Sequence, residues 1–234
     1  MQNNKRDFIL IKKTIEAEDI TSLFFQTVDD LKFEYTSGQY IVFKPGTFGG
    51  RGKSYTISSD PSEEYICLTI KRKGEVSSAL IDLNVGDKVL FEGPYGNFFP
   101  KIEYKDMVIL AGGIGITPFY SIIKNKIKTG FEKQITLIYS NKTVFGTAFF
   151  EKLNKLSKDN SNFKVIYCLT GEEIKNPLVK EYTRINEEII KKYSDSLKDK
   201  DYYICGSVGF VNDMWKILKN IGVQENCIFT ETFY

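Results

Sequence analysis

The segment that most restricts the fold is Val108-Ile-Leu-Ala-Gly-Gly-Ile-Gly-Ile-Thr-Pro118. An apolar strand ends in glycines, and a helix opens at Thr117 with proline just inside it. Glycine lets a backbone turn tightly and approach a neighbour or ligand closely. Proline is well placed at the first helical position, where its missing N–H would have had no partner. The helix start offers free N–H groups and a positive dipole end to a phosphate. The spacing is not a full GxGxxG, because Pro118 stands where the third glycine would be. Taken alone, the glycines favour a nucleotide over an ordinary strand–helix turn. The wider apolar run, 107–123, approaches membrane length, but its three glycines and Pro118 divide it into strand, turn and helix. No transmembrane span is expected.

The chain changes pattern on either side of residue 100. Before it, short β-branched and aromatic runs at 8–12, 21–26, 40–43, 54–58, 65–70 and 88–92 alternate with Gly, Pro, Asp and Asn. Such spacing predicts an antiparallel β-barrel or sandwich, with one short helix at 77–83. After it, strands at 107–111, 134–139, 163–168, 202–205 and 227–230 alternate with helices at 117–128, 147–156, 184–193 and 208–219. That alternation predicts an α/β, doubly wound, parallel five-stranded sheet. Two domains are expected, 1–101 and 102–234, joined by a short link at 101–104.

Composition removes several classes of chemistry. The 234 residues include no histidine, which excludes Ser-His-Asp and Cys-His catalysis and His-ligated zinc or haem. Cys67, Cys168, Cys205 and Cys227 are isolated singles, so neither a zinc ribbon nor a typical iron–sulfur cluster finds its ligands. They read as reduced thiols, which favours a cytoplasmic location. The net charge of +2 provides no general attraction to nucleic acid or anionic lipid. The N-terminus lacks the features of a signal peptide.

A second motif is Arg51-Gly-Lys-Ser-Tyr-Thr-Ile-Ser-Ser59, where cation, aromatic and hydroxyl alternate. In a strand, Lys53, Tyr55 and Ile57 share one face and Ser54, Thr56 and Ser58 the other. By itself this is compatible with a routine surface strand.

The order of motifs is more informative than any one of them. Gly38-Gln-Tyr40 precedes the Tyr55 strand; Thr69-Ile-Lys71, Gly74-Glu-Val-Ser-Ser78 and Gly93-Pro-Tyr-Gly96 follow it. Then come the Gly112–Pro118 turn, Cys205-Gly-Ser207 and Glu231-Thr-Phe-Tyr234. This succession resembles the ferredoxin–NADP⁺ reductase-like family of flavoproteins over nearly the whole chain. The resemblance implies an FAD-binding Greek-key barrel followed by a nicotinamide-nucleotide-binding domain, with no iron–sulfur domain attached.

It also implies roles. Lys53-Ser54-Tyr55-Thr56 resembles the family's Arg-x-Tyr-Ser/Thr motif, with Tyr55 stacking on the isoalloxazine and Thr56 touching flavin N5. Lysine replaces the usual arginine, keeping the charge but losing the bidentate fork; Arg51 is a nearby substitute. Thr69, Ile70 and Lys71 resemble the strand whose backbone reads the flavin's pyrimidine edge. Gly74, Val76, Ser77 and Ser78 resemble the turn that holds its phosphates. Gly112, Gly113, Gly115, Thr117 and Pro118 resemble the nicotinamide-nucleotide loop, and Cys205-Gly206 the pair beside the nicotinamide. Glu231 and Phe233 resemble the closing segment near the flavin, with either Phe233 or Tyr234 covering the ring. Thr56, Cys205 and Glu231 are the implied catalytic residues.

Hydride transfer between such cofactors requires donor and acceptor roughly 3–3.5 Å apart and little acid–base machinery, which suits a chain without histidine. Ser140 and Lys142, at the end of the second parallel strand, lean towards NADPH over NADH, since a cation there accepts a 2′-phosphate. The expected acceptor is a separate electron carrier of ferredoxin or flavodoxin type. The alternatives are release of free reduced flavin and a non-catalytic nucleotide sensor.

Overall fold

A computed structural model describes residues 5–45, 52–100, 104–172 and 174–233. Arg51, Tyr234 and positions 101–103 of the link lie outside the described residues. The chain divides into two compact units, Met1–Phe99 with Thr117–Asn125, and Pro100–Ile116 with Lys126–Tyr234.

The first unit contains six strands: β1 (Lys5–Ala17), β2 (Ile20–Thr27), β3 (Tyr40–Phe43), β4 (Lys53–Thr56), β5 (Ile66–Lys71) and β6 (Lys88–Tyr95). They lie in the order β4-β3-β6-β1-β2-β5, every neighbouring pair antiparallel. The two outer strands meet again through an antiparallel bridge between Ile57 and Leu68, which curls the sheet into the expected Greek-key barrel. Period-two patterning fills its interior. Phe8 and Leu10 of β1, Leu23 and Phe25 of β2, Val89 and Phe91 of β6 and Leu68 and Ile70 of β5 belong to one buried cluster. Phe91 is its hub, with ring centroids 5.3 Å from Phe8, 5.1 Å from Phe25 and 5.8 Å from Phe43.

Helix α1 spans Glu75–Ile81, two residues earlier than the hydrophobic pattern implies. Its start is set by Ser77, whose Oγ accepts hydrogen bonds from the Lys73 and Gly74 amides at 3.0 Å each. Side-chain oxygens of this kind satisfy helix-terminal donors and so choose the first turn.

The second unit is a parallel sheet of β7 (Asp106–Gly112), β8 (Ile135–Asn141), β9 (Phe163–Leu169), β10 (Lys200–Ser207) and β11 (Ile228–Phe233). The order is β11-β10-β7-β8-β9, so the chain steps outward through β8 and β9 and then returns to the other side of β7. That reversal makes the carboxyl ends of β7 and β10 the topological switch point, where open α/β sheets bind ligands. Met107, Val108, Ile109, Leu110 and Ala111 are all at most 2% exposed, as expected of a strand covered on both faces.

Helices α2 (Ile116–Lys128), α3 (Phe150–Asp159), α4 (Glu187–Ser194) and α5 (Val208–Asn220) connect the parallel strands. Two start later than sequence periodicity implies. Phe149 adopts the left-handed conformation at φ 63°, which holds α3 back from Thr147. Asn186 caps α4 by accepting a hydrogen bond from Ile189 N at 3.0 Å, which holds it back from Arg184. Among the described residues no helix is long and apolar enough to cross a membrane.

Candidate functional site

In the barrel, the bridge at Ile57 and Leu68 sets Thr56 of β4 opposite Thr69 of β5. The expected N5-contacting hydroxyl and the expected pyrimidine-reading strand are therefore neighbours. Parity of the backbone then sorts β5. Arg72 N donates to Asp19 O on the β2 side at 2.9 Å, whereas Cys67 O accepts from Ser58 N on the β4 side at 2.8 Å. Successive residues of a strand point their backbone groups to opposite edges. Lys71 therefore faces the opening beyond the bridge, where no strand pairs with it among the described residues. Ile70 does not: its backbone faces Thr21 of β2 and its side chain is 2% exposed in the core. Strand alternation turns every second residue of β5 away from this edge.

The β4 residues grade from exposed to buried. Lys53 and Ser54 are exposed, Tyr55 is half-buried against the barrel core, and Thr56 is buried. Lys53 has no ion pair and the Tyr55 hydroxyl no hydrogen bond among the described residues. Burial raises the Tyr55 phenol to about 12, so it stays protonated. Lys71 is paired with Asp19 at 3.0 Å, leaving its backbone as the part facing the opening.

Behind this edge lies a hydroxyl network that sequence reading missed. Thr69 Oγ1 is 2.7 Å from Ser22 Oγ and 2.9 Å from Ser58 Oγ, while Ser59 Oγ accepts from Cys67 N at 2.8 Å and contacts Tyr35 Oη at 2.8 Å. Buried hydroxyls that satisfy one another fix the register of the seam. The Thr69 side chain is engaged here, so only its backbone is available to a ligand. At the α1 turn, Val76 packs on the barrel core, Ser77 serves as the cap, and the Ser78 amide donates to Gly74 O at 2.9 Å. A Cβ on Gly74 would meet nothing within 4 Å, so the space beside it is open.

In the parallel sheet the expected residues gather at the switch point. Cys205 is in register with Ala111 on one side and Glu231 on the other; Gly206 pairs with Thr232, Ser207 with Phe233, and Gly112 with Ser140. A Cβ on Gly115 would lie 2.3 Å from Cys205 O and 2.7 Å from Gly206 Cα. The glycine turn therefore rests directly on the Cys205-Gly206 backbone. Gly113 has φ 53° with open space beside it, so its requirement is conformational rather than steric. Thr117 and Pro118 are buried. Ser140 is half-buried, and Lys142 is exposed without an ion pair among the described residues.

Two further residues shape this turn. Tyr139, fully buried, donates from its hydroxyl to Gly113 O at 3.0 Å. The Phe210 ring fills the space where a Cβ on Gly112 (2.9 Å) or on Gly206 (2.7 Å) would go. Phe210 is placed by the cap of α5, where Ser207 Oγ accepts its amide at 3.3 Å. Neither residue carries a local sequence signal, since both act on partners distant in the chain.

Desolvation dominates the electrostatics here. Burial, followed by the nearby Glu231 carboxylate, raises the Cys205 thiol well above its ordinary value, so it stays neutral. Desolvation also raises the Glu231 carboxyl, opposed by the Thr232 amide. All four cysteines are separate thiols.

Both sites suit the groups that the resemblance implies. Among the described residues the barrel offers a half-buried aromatic whose hydroxyl has no hydrogen bond, a cation without an ion pair and an open strand edge. The switch point offers a glycine cradle that any side chain would disturb. Comparison with known proteins agrees. Residues 7–99 match the oxidoreductase FAD-binding domain and 109–216 the oxidoreductase NAD-binding domain. The chain belongs to the ferredoxin reductase-like family of FAD- and NAD-binding oxidoreductases.

Among its relatives is the flavohemoprotein of Bacillus subtilis (strain 168), 30% identical over 237 residues, covering 97% of this chain and 59% of the relative. The reductase component of propane 2-monooxygenase from Mycolicibacterium goodii is 26% identical over 225 residues, covering 93% of this chain and 64% of the relative. This chain thus spans about three fifths of the curated relatives it matches. Its fold is shared with the flavohem-like FAD/NAD binding domain of nitric oxide dioxygenase from Vibrio cholerae O1 biovar El Tor. That match has a TM-score of 0.88 and 24% identity, covering 97% of this chain and 98% of the other.

Proposed function

We propose that this chain is an NAD(P)H-dependent flavin reductase that passes electrons to a separate protein, a ferredoxin or flavodoxin or the oxygenase of a multicomponent system. The observation that carries the reading is that one chain has both an open barrel edge beside Tyr55 and, in its other unit, a glycine turn seated on Cys205-Gly206 at a switch point. A reductase component among the relatives supports a separate acceptor. The isolated thiols support a cytoplasmic setting.

When bound, FAD and the nicotinamide nucleotide supply hydride transfer and the release of single electrons. The protein binds, orients and excludes water. In this reading Tyr55 provides a stacking face, Lys53 neutralises phosphate, and the Lys71 backbone and Thr69 carbonyl meet the flavin edge. The Gly74 turn, with Val76, Ser77 and Ser78, receives phosphate oxygens. Gly112, Gly113, Gly115, Thr117 and Pro118 hold the nucleotide, with Ser140 and Lys142 towards its ribose end. Thr56 hydrogen-bonds at N5, Cys205 lines the nicotinamide position, Glu231 stands beside it with a carboxyl whose proton affinity desolvation raises, and Phe233 covers the ring.

The test is a visible spectrum of the purified protein followed by anaerobic addition of NADH or NADPH. Flavin absorbance that bleaches supports the reading; colourless protein that FAD does not reconstitute rejects it. Tyr55→Ala is expected to weaken FAD binding by about five- to tenfold, since a stacked aromatic contributes about 1 kcal/mol beyond its buried area. Tyr55→Phe should bind FAD normally, because the hydroxyl has no hydrogen bond among the described residues. Equal retention by the alanine variant would remove Tyr55 from the site. Thr56→Val should slow flavin reduction while leaving the melting temperature nearly unchanged; stopped-flow rates identical to the parent would reject its role at N5.

A further inference from the structure

Hydrogen bonds from three backbone amides help to tie the end of β8 and the loop after it to the loop after β9. Thr170 N donates to Asn141 O at 3.2 Å, Gly171 N to Lys142 O at 2.9 Å, and Val144 N to the Glu172 carboxylate (Oε2) at 2.6 Å. The last of these places a negative charge beside the stretch that follows β8, where such folds sort the two nicotinamide nucleotides. An acidic group there accepts a hydrogen bond from a ribose 2′-hydroxyl and repels a 2′-phosphate. Glu172 Oε1 has no hydrogen bond or ion pair among the described residues, which leaves an acceptor free.

Lys142 argues in the opposite direction, but its position is less definite. Its ammonium is exposed, unpaired among the described residues, and carried on a flexible stem. The Glu172 carboxylate is half-buried and held in place by a backbone donor. A phosphate arriving here finds the Val144 amide already taken and a fixed like charge next to it. Repulsion from a fixed carboxylate outweighs attraction to a solvated lysine, which is screened and entropically costly to organise.

We propose that Glu172 is the residue that sets nucleotide choice, selecting NADH over NADPH. This rests on the assignment of the switch point as the nicotinamide-nucleotide site and reverses the lean that Ser140 and Lys142 give to the sequence. Glutamine is the informative replacement, because its amide oxygen can still accept from Val144 N while the charge is removed.

The experiment is an equilibrium titration of the purified flavoprotein with NAD⁺ and with NADP⁺, without turnover. The parent should bind NAD⁺ more tightly by roughly tenfold or more. Glu172→Gln should tighten NADP⁺ binding by about tenfold and change NAD⁺ binding by less than about threefold, at an unchanged melting temperature. A parent that prefers NADP⁺, or a Glu172→Gln variant with unaltered discrimination, overturns the assignment of Glu172 alone. Failure of both nucleotides to bind overturns the site itself.

Discussion

Gly115→Ala is expected to destabilise the protein by about 3 kcal/mol, the upper end of the overpacking range, and to abolish nicotinamide-nucleotide binding. The added methyl would lie 2.3 Å from Cys205 O and 2.5 Å from Cys205 C, far inside contact distance. The obstructing atoms belong to the backbone of β10, paired with β7 on one side and β11 on the other. They cannot rotate away as a side-chain tip could, so the turn itself must move. Gly113→Ala provides the control. Its Cβ would meet nothing within 4 Å, and at φ 53° the left-handed conformation costs only about 1 kcal/mol. Denaturant unfolding compares the two stabilities, and titration with NAD⁺ reports the site. Equal losses from both substitutions would mean that the close approach of turn and strand has been misread.

Phe91→Ala should cost about 3–5 kcal/mol, the range for deleting a buried phenylalanine. Phe91 is 1% exposed and is the ring that Phe8, Phe25 and Phe43 share. Removing it takes away burial and three aromatic contacts, and it leaves a cavity between β1, β2, β3 and β6. The barrel is expected to melt at lower temperature and to release FAD, because the β4–β5 edge depends on strands that this core holds in register. Leu110→Ala in the parallel sheet is the comparison: it removes a fully buried side chain of β7. It should weaken nicotinamide binding more than FAD retention. If Phe91→Ala kept the parent melting temperature and bound flavin, the barrel core would not be what supports the flavin edge.

Local physics made much of this fold legible. The pattern of 107–118 already specifies strand, turn and helix, and the observed β7, the 3₁₀ turn Gly113–Gly115 and α2 follow it closely. The switch from short antiparallel strands to alternating strands and helices likewise reflects periodicities of two and 3.6 residues that any stretch displays on its own. Element starts were less legible when a cap decided them. Ser77 and Asn186 outrank the apolar pattern within a single turn, because a satisfied helix-end amide outweighs one additional apolar position, whereas at α3 the left-handed backbone of Phe149 interrupts the helix.

The candidate site divides in the same way. Residue types and their order along the chain identify Tyr55, Thr56, Gly112–Gly115 and Cys205 as a group, since their chemistry and backbone freedom belong to the residues themselves. Tertiary structure decided which of them face outward. Pairing parity turns Ile70 into the core and leaves Lys71 at the opening; Thr69 spends its hydroxyl on Ser22 and Ser58. Tyr139 on Gly113, Phe210 against Gly112 and Gly206, and Glu172 on Val144 join positions that no local pattern links. A sequence carries its own torsional preferences and apolar periodicities, but the partner of a buried hydroxyl or carboxylate is set only when distant strands pair.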